Sequence, residues 1–411
     1  MLFEKTKIYG VTGINKQEAL TRTDHAVGLK PTSLGQDPDT GYNLDYVEWH
    51  SDFDNCYPWC DMKEVTDIYG NVFIKIPKFY AKISTDTDGS LKFQISGCRY
   101  EGFSTLFIDG YGNELDYVLV GKYEGSLYKV KTATDYAIND NKVWSVSHAR
   151  AEVPESGGPV KLYALATDLT IDDFRARAMN WGTGYQQYDF LIDGIIKLLF
   201  TIEFATTNSQ VVLQGQVDGA DPQTDTGSTD FIRTSTGSKR EGGCDFSIKY
   251  RGIENPWGNV EKWCDGIAFL VNRIYVCTDP RSYSHNADTY ESNTGSLAAP
   301  YFYVGDRILC NSCYTAEITP FNKLPLLCFT SKYNMSMGSV FNDIYMANTY
   351  GNGTALKCSG GYSSGYGGGL WYFNDNGYYA GTASQANNDK KMVNKAGGRL
   401  CFKPIDGHEV A

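Results

Sequence analysis

The stretch from Leu356 to Pro404, LKCSGGYSSGYGGGLWYFNDNGYYAGTASQANNDKKMVNKAGGRLCFKP, sets the terms on which the rest of the chain is read. From Cys358 to Gly381 nearly every residue is Gly, Ser, Tyr, Asn, Asp or Trp; the exceptions are Leu370, Phe373 and Ala380. Tyr and Trp supply large rigid contact area at low rotamer cost, and Ser, Gly and Asn supply adaptable hydrogen bonding, as in an antibody loop. A structureless Gly-rich tail has a similar composition. Against it, apolar residues recur at Leu370, Phe373, Met392, Val393, Leu400 and Phe402, and Gly397-Gly398-Arg399-Leu400-Cys401-Phe402 reads as a closing strand. The expectation is a surface of exchangeable residues, about 345–395, mounted on a fixed scaffold. Its contact face would be Tyr362, Ser363, Ser364, Tyr366, Trp371, Tyr372, Asn374, Asn376, Tyr378 and Tyr379, extended by Tyr345, Asn348 and Tyr350. Leu370, Phe373, Leu400 and Phe402 would face inward, and the Trp371 indole could serve either side.

Composition narrows the rest. A chain of 411 residues accommodates two or three domains or one elaborated one. Its 43 glycines and 30 tyrosines favour short strands, many turns and aromatic contact. A net charge of −11 argues against nucleic acid and against an anionic membrane surface as partners. The first twenty residues hold no apolar run, which predicts no signal peptide. Ile192 to Phe204 is interrupted by Asp193, Lys197 and Glu203 and is unsuited to spanning a bilayer. Eleven scattered cysteines, with no His at zinc-finger spacing from Cys56/Cys60 or Cys310/Cys313, read as buried thiols of a chain made in a reducing compartment.

Three parts follow along the chain. Residues 1–45 are polar and turn-rich and read as an attachment or oligomerisation arm. Residues 46–150 are β-rich, with Val72 to Tyr80 broken by Pro77, which points to an edge or a bulge, a turn at Gly110 to Asn113, and a strand at Tyr117 to Glu124. Residues 151–411 hold the two helices. One starts at Thr170, an N-cap candidate followed by Asp172 and Asp173. The other spans Tyr188 to Ala205 with apolar residues all round its axis, so Asp193, Lys197 and Glu203 need buried partners or an outlet to solvent. Residues 214–243 carry almost no apolar side chains and read as a long exposed loop. Strands are expected at Val271 to Cys277 and Tyr301 to Leu309.

Two helices, then Gly258-Asn259-Val260-Glu261-Lys262-Trp263, a Gly-rich aromatic segment and a terminal Gly398-Arg399-Leu400 strand form a series that resembles the C-type-lectin fold. The variant is the one shared with formylglycine-generating enzymes, whose members carry a Gly-Asn-Val-x-x-Trp motif and end near a Gly-Phe-Arg strand; here Gly stands at the aromatic position. The order also looks like phage receptor-binding proteins and the variable proteins of diversity-generating retroelements, and the likeness covers residues 45–404. The resemblance implies an α+β fold of short strands, two helices and long loops. It further implies a virion tail protein, made in the bacterial cytoplasm, that joins other tail proteins as a homotrimer and binds a host cell-surface protein or glycan without catalysis.

Other chemistry is weighed on the same residues. An oxidase of the formylglycine-generating type would need a reactive thiol pair, for which Cys310/Cys313 and Cys358/Cys401 are the candidates, with no base placed beside them. His25, His50, His148, His285 and His408 are spread singly, outside any nucleophile or metal-ligand motif. Gly365 to Gly369 lacks the Lys of a phosphate cradle. The proline tripeptide of calcium-dependent sugar binding is missing beside Phe373-Asn374-Asp375, and a structural calcium near Asn259 stays open. No cofactor, metal or catalytic residue is expected.

Overall fold

The computed structural model describes residues 5–23, 46–131, 136–148, 161–167, 169–217, 224–241, 244–270, 272–284, 290–291, 296–297, 300–337, 340–347, 352–361, 367–375 and 396–405. Among the described residues most of the regular structure is strand, with the α-helices Ile171–Met179 and Phe190–Phe204, so the fold is mixed α+β.

Both helices lie where the sequence predicts, the first starting after Thr170 as expected and the second at Phe190, two residues later than expected. In α1, Ile171–Met179, the Thr170 hydroxyl accepts the Asp173 amide at 3.1 Å. In α2, Phe190–Phe204, Asp189 accepts the Ile192 amide at 2.9 Å, and Ala205 ends the helix in the left-handed region. Each satisfies amides that the first helical turn leaves without a partner. α2 is buried along almost its whole length, and its three charges find partners inside. Asp193 pairs with Lys197 and accepts the Tyr188 hydroxyl at 3.2 Å. Glu203 accepts Arg251 Nε and the Tyr250 hydroxyl, each at 3.0 Å. Unpaired, any one of them would be costly in this environment.

The Glu261–Leu270 strand, buried at every residue, is the spine of a nine-stranded sheet. On one side it pairs with Arg273–Val276 and, beyond that, Phe302–Asp306. On the other lie Asn352–Cys358, Phe373–Asn374, Ile344–Ala347, Cys310–Pro320 and Cys328–Asn334, in that order. A five-stranded sheet joins distant parts of the chain: Tyr185–Gln187, Leu400–Phe402, Tyr117–Gly121, Val72–Pro77 and Lys63–Thr66. The parts before and after residue 150 therefore share sheets.

Three expectations change. The first residues are not a detached arm. The Ile8–Ile14 strand pairs with Leu91–Ser96 and buries Tyr9, Val11 and Ile14 in the main core. Arg22 donates to the last carbonyls of α2, Ile202 and Glu203. Residues 24–45 lie outside the described residues. The polar stretch 214–243 is not simply an exposed loop: Thr236–Glu241 is a strand, and Thr226 and Thr229 are buried. Glu254 organises this region by accepting the amides of Gly227 and Thr229 and the Thr229 hydroxyl at 2.8–2.9 Å. Burial pushes the Glu254 carboxyl up to about 7 in spite of these bonds. Finally, Val72–Pro77 is an interior strand, and Pro77 is tolerated because it is the last residue of the element.

Candidate functional site

The Gly-Asn-Val-x-x-Trp run is a structural joint. Gly258 (φ +77°) and Asn259 (φ +58°) turn the chain into the Glu261–Leu270 strand. A Cβ at position 258 would lie 2.8 Å from the Gln216 amide nitrogen, so glycine is required there twice over. The Asn259 side chain accepts the Thr224 amide at 2.8 Å and donates to Glu124, which also pairs with Lys262 at 3.0 Å. Trp263 Nε1 donates to the Leu169 carbonyl at 2.9 Å, just before α1. Arg399 completes the joint: its guanidinium donates to the carbonyls of Gly121, Lys122, Glu254 and Asn255. A Cβ at Gly398 would meet the Phe174 ring at 2.7 Å, so the space at this position is filled by an aromatic ring from α1. These polar side chains are spent on holding segments together. Asn259 is thereby engaged by Glu124 and Thr224, and among the described residues no group of three or more His, Cys, Asp or Glu is placed to hold a metal ion.

The C-terminal stretch divides at this scaffold. Phe373–Asn374 is wedged as a short strand, parallel to Ile344–Ala347 and antiparallel to Asn352–Cys358. The strap before it is tied by two amides. Leu370 N donates to Ser209 Oγ at 3.0 Å and Trp371 N to Asp343 Oδ2 at 2.6 Å. Burial pushes the Asp343 carboxyl up to about 8. Glycine serves close approach here: a Cβ on Gly369 would sit 2.2 Å from Asp343 Oδ1, and one on Gly367 2.3 Å from the Ile344 side chain.

Four of the expected contact residues are consequently inside. Tyr345 is 0 % exposed, Tyr372 1 %, Trp371 2 % and Asn374 5 %. Trp371 packs edge-on against Phe341 at 5.6 Å. The Tyr345 hydroxyl donates to the Ile308 carbonyl at 2.6 Å. Tyr372 and Asn374 both donate to the Glu261 carboxylate, Asn374 at 3.0 Å, and Lys357 pairs with the same group. Burial would raise the Glu261 carboxyl, but the Lys357 ammonium and these two donors hold it below the ordinary carboxylate range. The physical reason for the correction is that one buried anion needs several donors, and Tyr and Asn supply them from the strap. Leu370, Phe373, Leu400 and Phe402 are buried as expected. Asn348, Tyr350, Tyr362, Ser363, Ser364, Tyr366, Asn376, Tyr378 and Tyr379 lie outside the described residues.

The backbone around Glu261 lies beside further residues that border the polar aromatic segments. Gly361 abuts Glu261, since a Cβ there would lie 2.7 Å from the Glu261 amide nitrogen. Asp375 pairs with Arg307 and donates its amide to Met346 O at 3.0 Å. Ala396 pairs in parallel with Glu261 itself. Gly361, Asn374 and Ala396, close to the borders of segments 362–366 and 376–395, thus meet at Glu261, while Gly367 lies against Ile344. Sequence reading passed over Glu261 as a variable position of the motif. Its signal was an acid followed by Lys262 in a strand that is otherwise apolar enough to be buried.

The thiol pairs are enclosed. Cys313 Sγ donates to the Tyr345 carbonyl at 3.3 Å, and burial pushes its thiol upward. Burial likewise pushes Cys401 up to about 12, while Cys358 is fully buried. A nucleophilic cysteine requires the opposite shift. Among the described residues no helix is long and apolar enough to cross a membrane. Compared with known proteins, the chain matches no protein-family model and no curated sequence.

Proposed function

We propose that this chain is a receptor-binding protein of the phage-tail type, built on a C-type-lectin-like scaffold of the formylglycine-generating-enzyme variant. It binds a host cell-surface protein or glycan through segments 348–351, 362–366 and 376–395, and works without catalysis in the virion tail, as a homotrimer joined to other tail proteins. The contact residues are Asn348, Tyr350, Tyr362, Ser363, Ser364, Tyr366, Asn376, Tyr378 and Tyr379; Tyr345, Trp371, Tyr372 and Asn374 support them from within. The carrying observation is the Glu261 hub, which fixes the flanks of the Tyr-, Ser- and Asn-rich segments on a buried sheet. Fixed flanks let a binding surface change its residues without disturbing the core, the organisation that the variable proteins of diversity-generating retroelements would need. The oxidase alternative gains no support from the cysteine pairs, whose thiols are buried.

Replacing Tyr366, Tyr378 and Tyr379 together by Ala should abolish adsorption of the protein to a cell that the parent binds. The melting temperature should stay unchanged. Adsorption equal to that of the parent overturns the assignment of the surface.

A further inference from the structure

Three neighbouring strands of the nine-stranded sheet bring a lysine, a glutamate and an asparagine to one point. Lys357 stands directly opposite Asn374 where Asn352–Cys358 meets Phe373–Asn374, and directly opposite Trp263 on its other side. Side chains alternate along a strand, so Glu261 shares this face with Trp263, and Tyr372 with Asn374. Residues directly opposite in an antiparallel pair have Cβ atoms about 5 Å apart, within reach of a lysine side chain.

Glu261 bridges the opposed pair. Its Oε2 faces Lys357 Nζ, and its Oε1 accepts Asn374 Nδ2 at 3.0 Å together with the Tyr372 hydroxyl. Asn374 Nδ2 also donates to the Tyr372 oxygen at 3.1 Å, which fixes the carboxamide in place. Lys357 is 3 % exposed, and its Nζ lies 5.9 Å from the centre of the Trp263 ring. Little water therefore reaches the amine or the amide. A primary amine, a carboxamide, and one carboxylate touching the nitrogen of each are the groups that amide exchange needs.

We propose that Lys357 and Asn374 join in an intramolecular isopeptide bond, with Glu261 as the general acid–base. Glu261 takes a proton from the Lys357 ammonium, a transfer that neutralises two buried charges. The free Nζ attacks Asn374 Cγ; the Nζ–Cγ bond forms and the Cγ–Nδ2 bond breaks. Of the three Nζ protons, one stays on the new amide and two pass through Glu261 to Nδ2, which departs as ammonium. No oxidant or cofactor enters. Glu261, whose side chain keeps a 12 % opening to solvent, stays ionised against the Tyr372 hydroxyl and the new amide N–H. The bond ties Phe373–Asn374 covalently to the strand beside it. It rests on sheet register and the Glu261 contacts, and holds or fails independently of the receptor-binding reading.

The test is the intact mass of the purified, folded full chain. It should fall short of the sequence mass by about 17 Da, one ammonia. An asparagine that cyclises onto its own backbone loses the same mass, so chymotryptic digestion, which cuts between the two residues, decides the origin. The peptides carrying Lys357 and Asn374 should remain joined. Lys357→Arg should restore the full sequence mass and release the two peptides from each other. An undiminished mass in the folded parent overturns the proposal. So does a mass loss whose digest yields the two peptides apart, or one that survives in Lys357→Arg.

Discussion

Tyr372 and Tyr111 belong to stretches of similar composition, glycine on either hand and Asn or Asp close by, yet one is core and the other is display. Tyr372 finds a carboxylate, Glu261, in a sheet that needs its hydroxyl. Tyr111 belongs to a turn whose own Asp109 and Asn113 satisfy each other, and its ring stays 70 % exposed with only the Arg281 guanidinium over it among the described residues. The contrast teaches that a Tyr/Gly-rich composition does not mark a surface. What decides is whether the nearest unsatisfied polar group is within the local turn or across the fold.

Mutations can break or sharpen this contrast. The largest effect is expected from Trp371→Ala, which empties a buried site against Phe341 and Lys197 and should cost about 3–5 kcal/mol. A clear fall in the denaturant midpoint checks it; an unchanged midpoint would return Trp371 to the surface. Tyr372→Phe keeps the ring and deletes one donor to the ionised Glu261, for an expected loss of about 1.5–3 kcal/mol. Lys357 and Asn374 still serve the carboxylate, so this variant should fold and differ from the parent only in midpoint. The smallest effect belongs to Tyr69→Ala with Tyr111→Ala. The denaturant midpoint should stay at the parental value, because the Asp67–Asn71 and Asp109–Asn113 hydrogen bonds that shape the two turns remain. A large drop there would mean that the exposed rings support the fold.

Much of the scaffold was legible beforehand for local reasons. The α2 stretch announced its burial by apolar residues around the whole axis, and the need for partners at Asp193, Lys197 and Glu203 followed directly. Thr170 marked the start of α1 by its hydroxyl and the acids behind it. The contact face was less legible. Gly367 and Gly369 were read as adaptable, but each is required because a backbone passes close to Ile344 or Asp343. Nothing local distinguishes a glycine chosen for freedom from one chosen for clearance.

By itself, the sequence determined the elements whose causes lie within a few residues: the Thr170 start of α1, the buried helix and the turn at Gly110 to Asn113. Only the tertiary structure decided which aromatic residues went inside. That choice rests on Glu261, which stands 111 positions from Tyr372 in the chain, and on Ile8–Ile14 finding Leu91–Ser96. A buried charge must collect donors from wherever the fold brings them, and no local pattern records where that is.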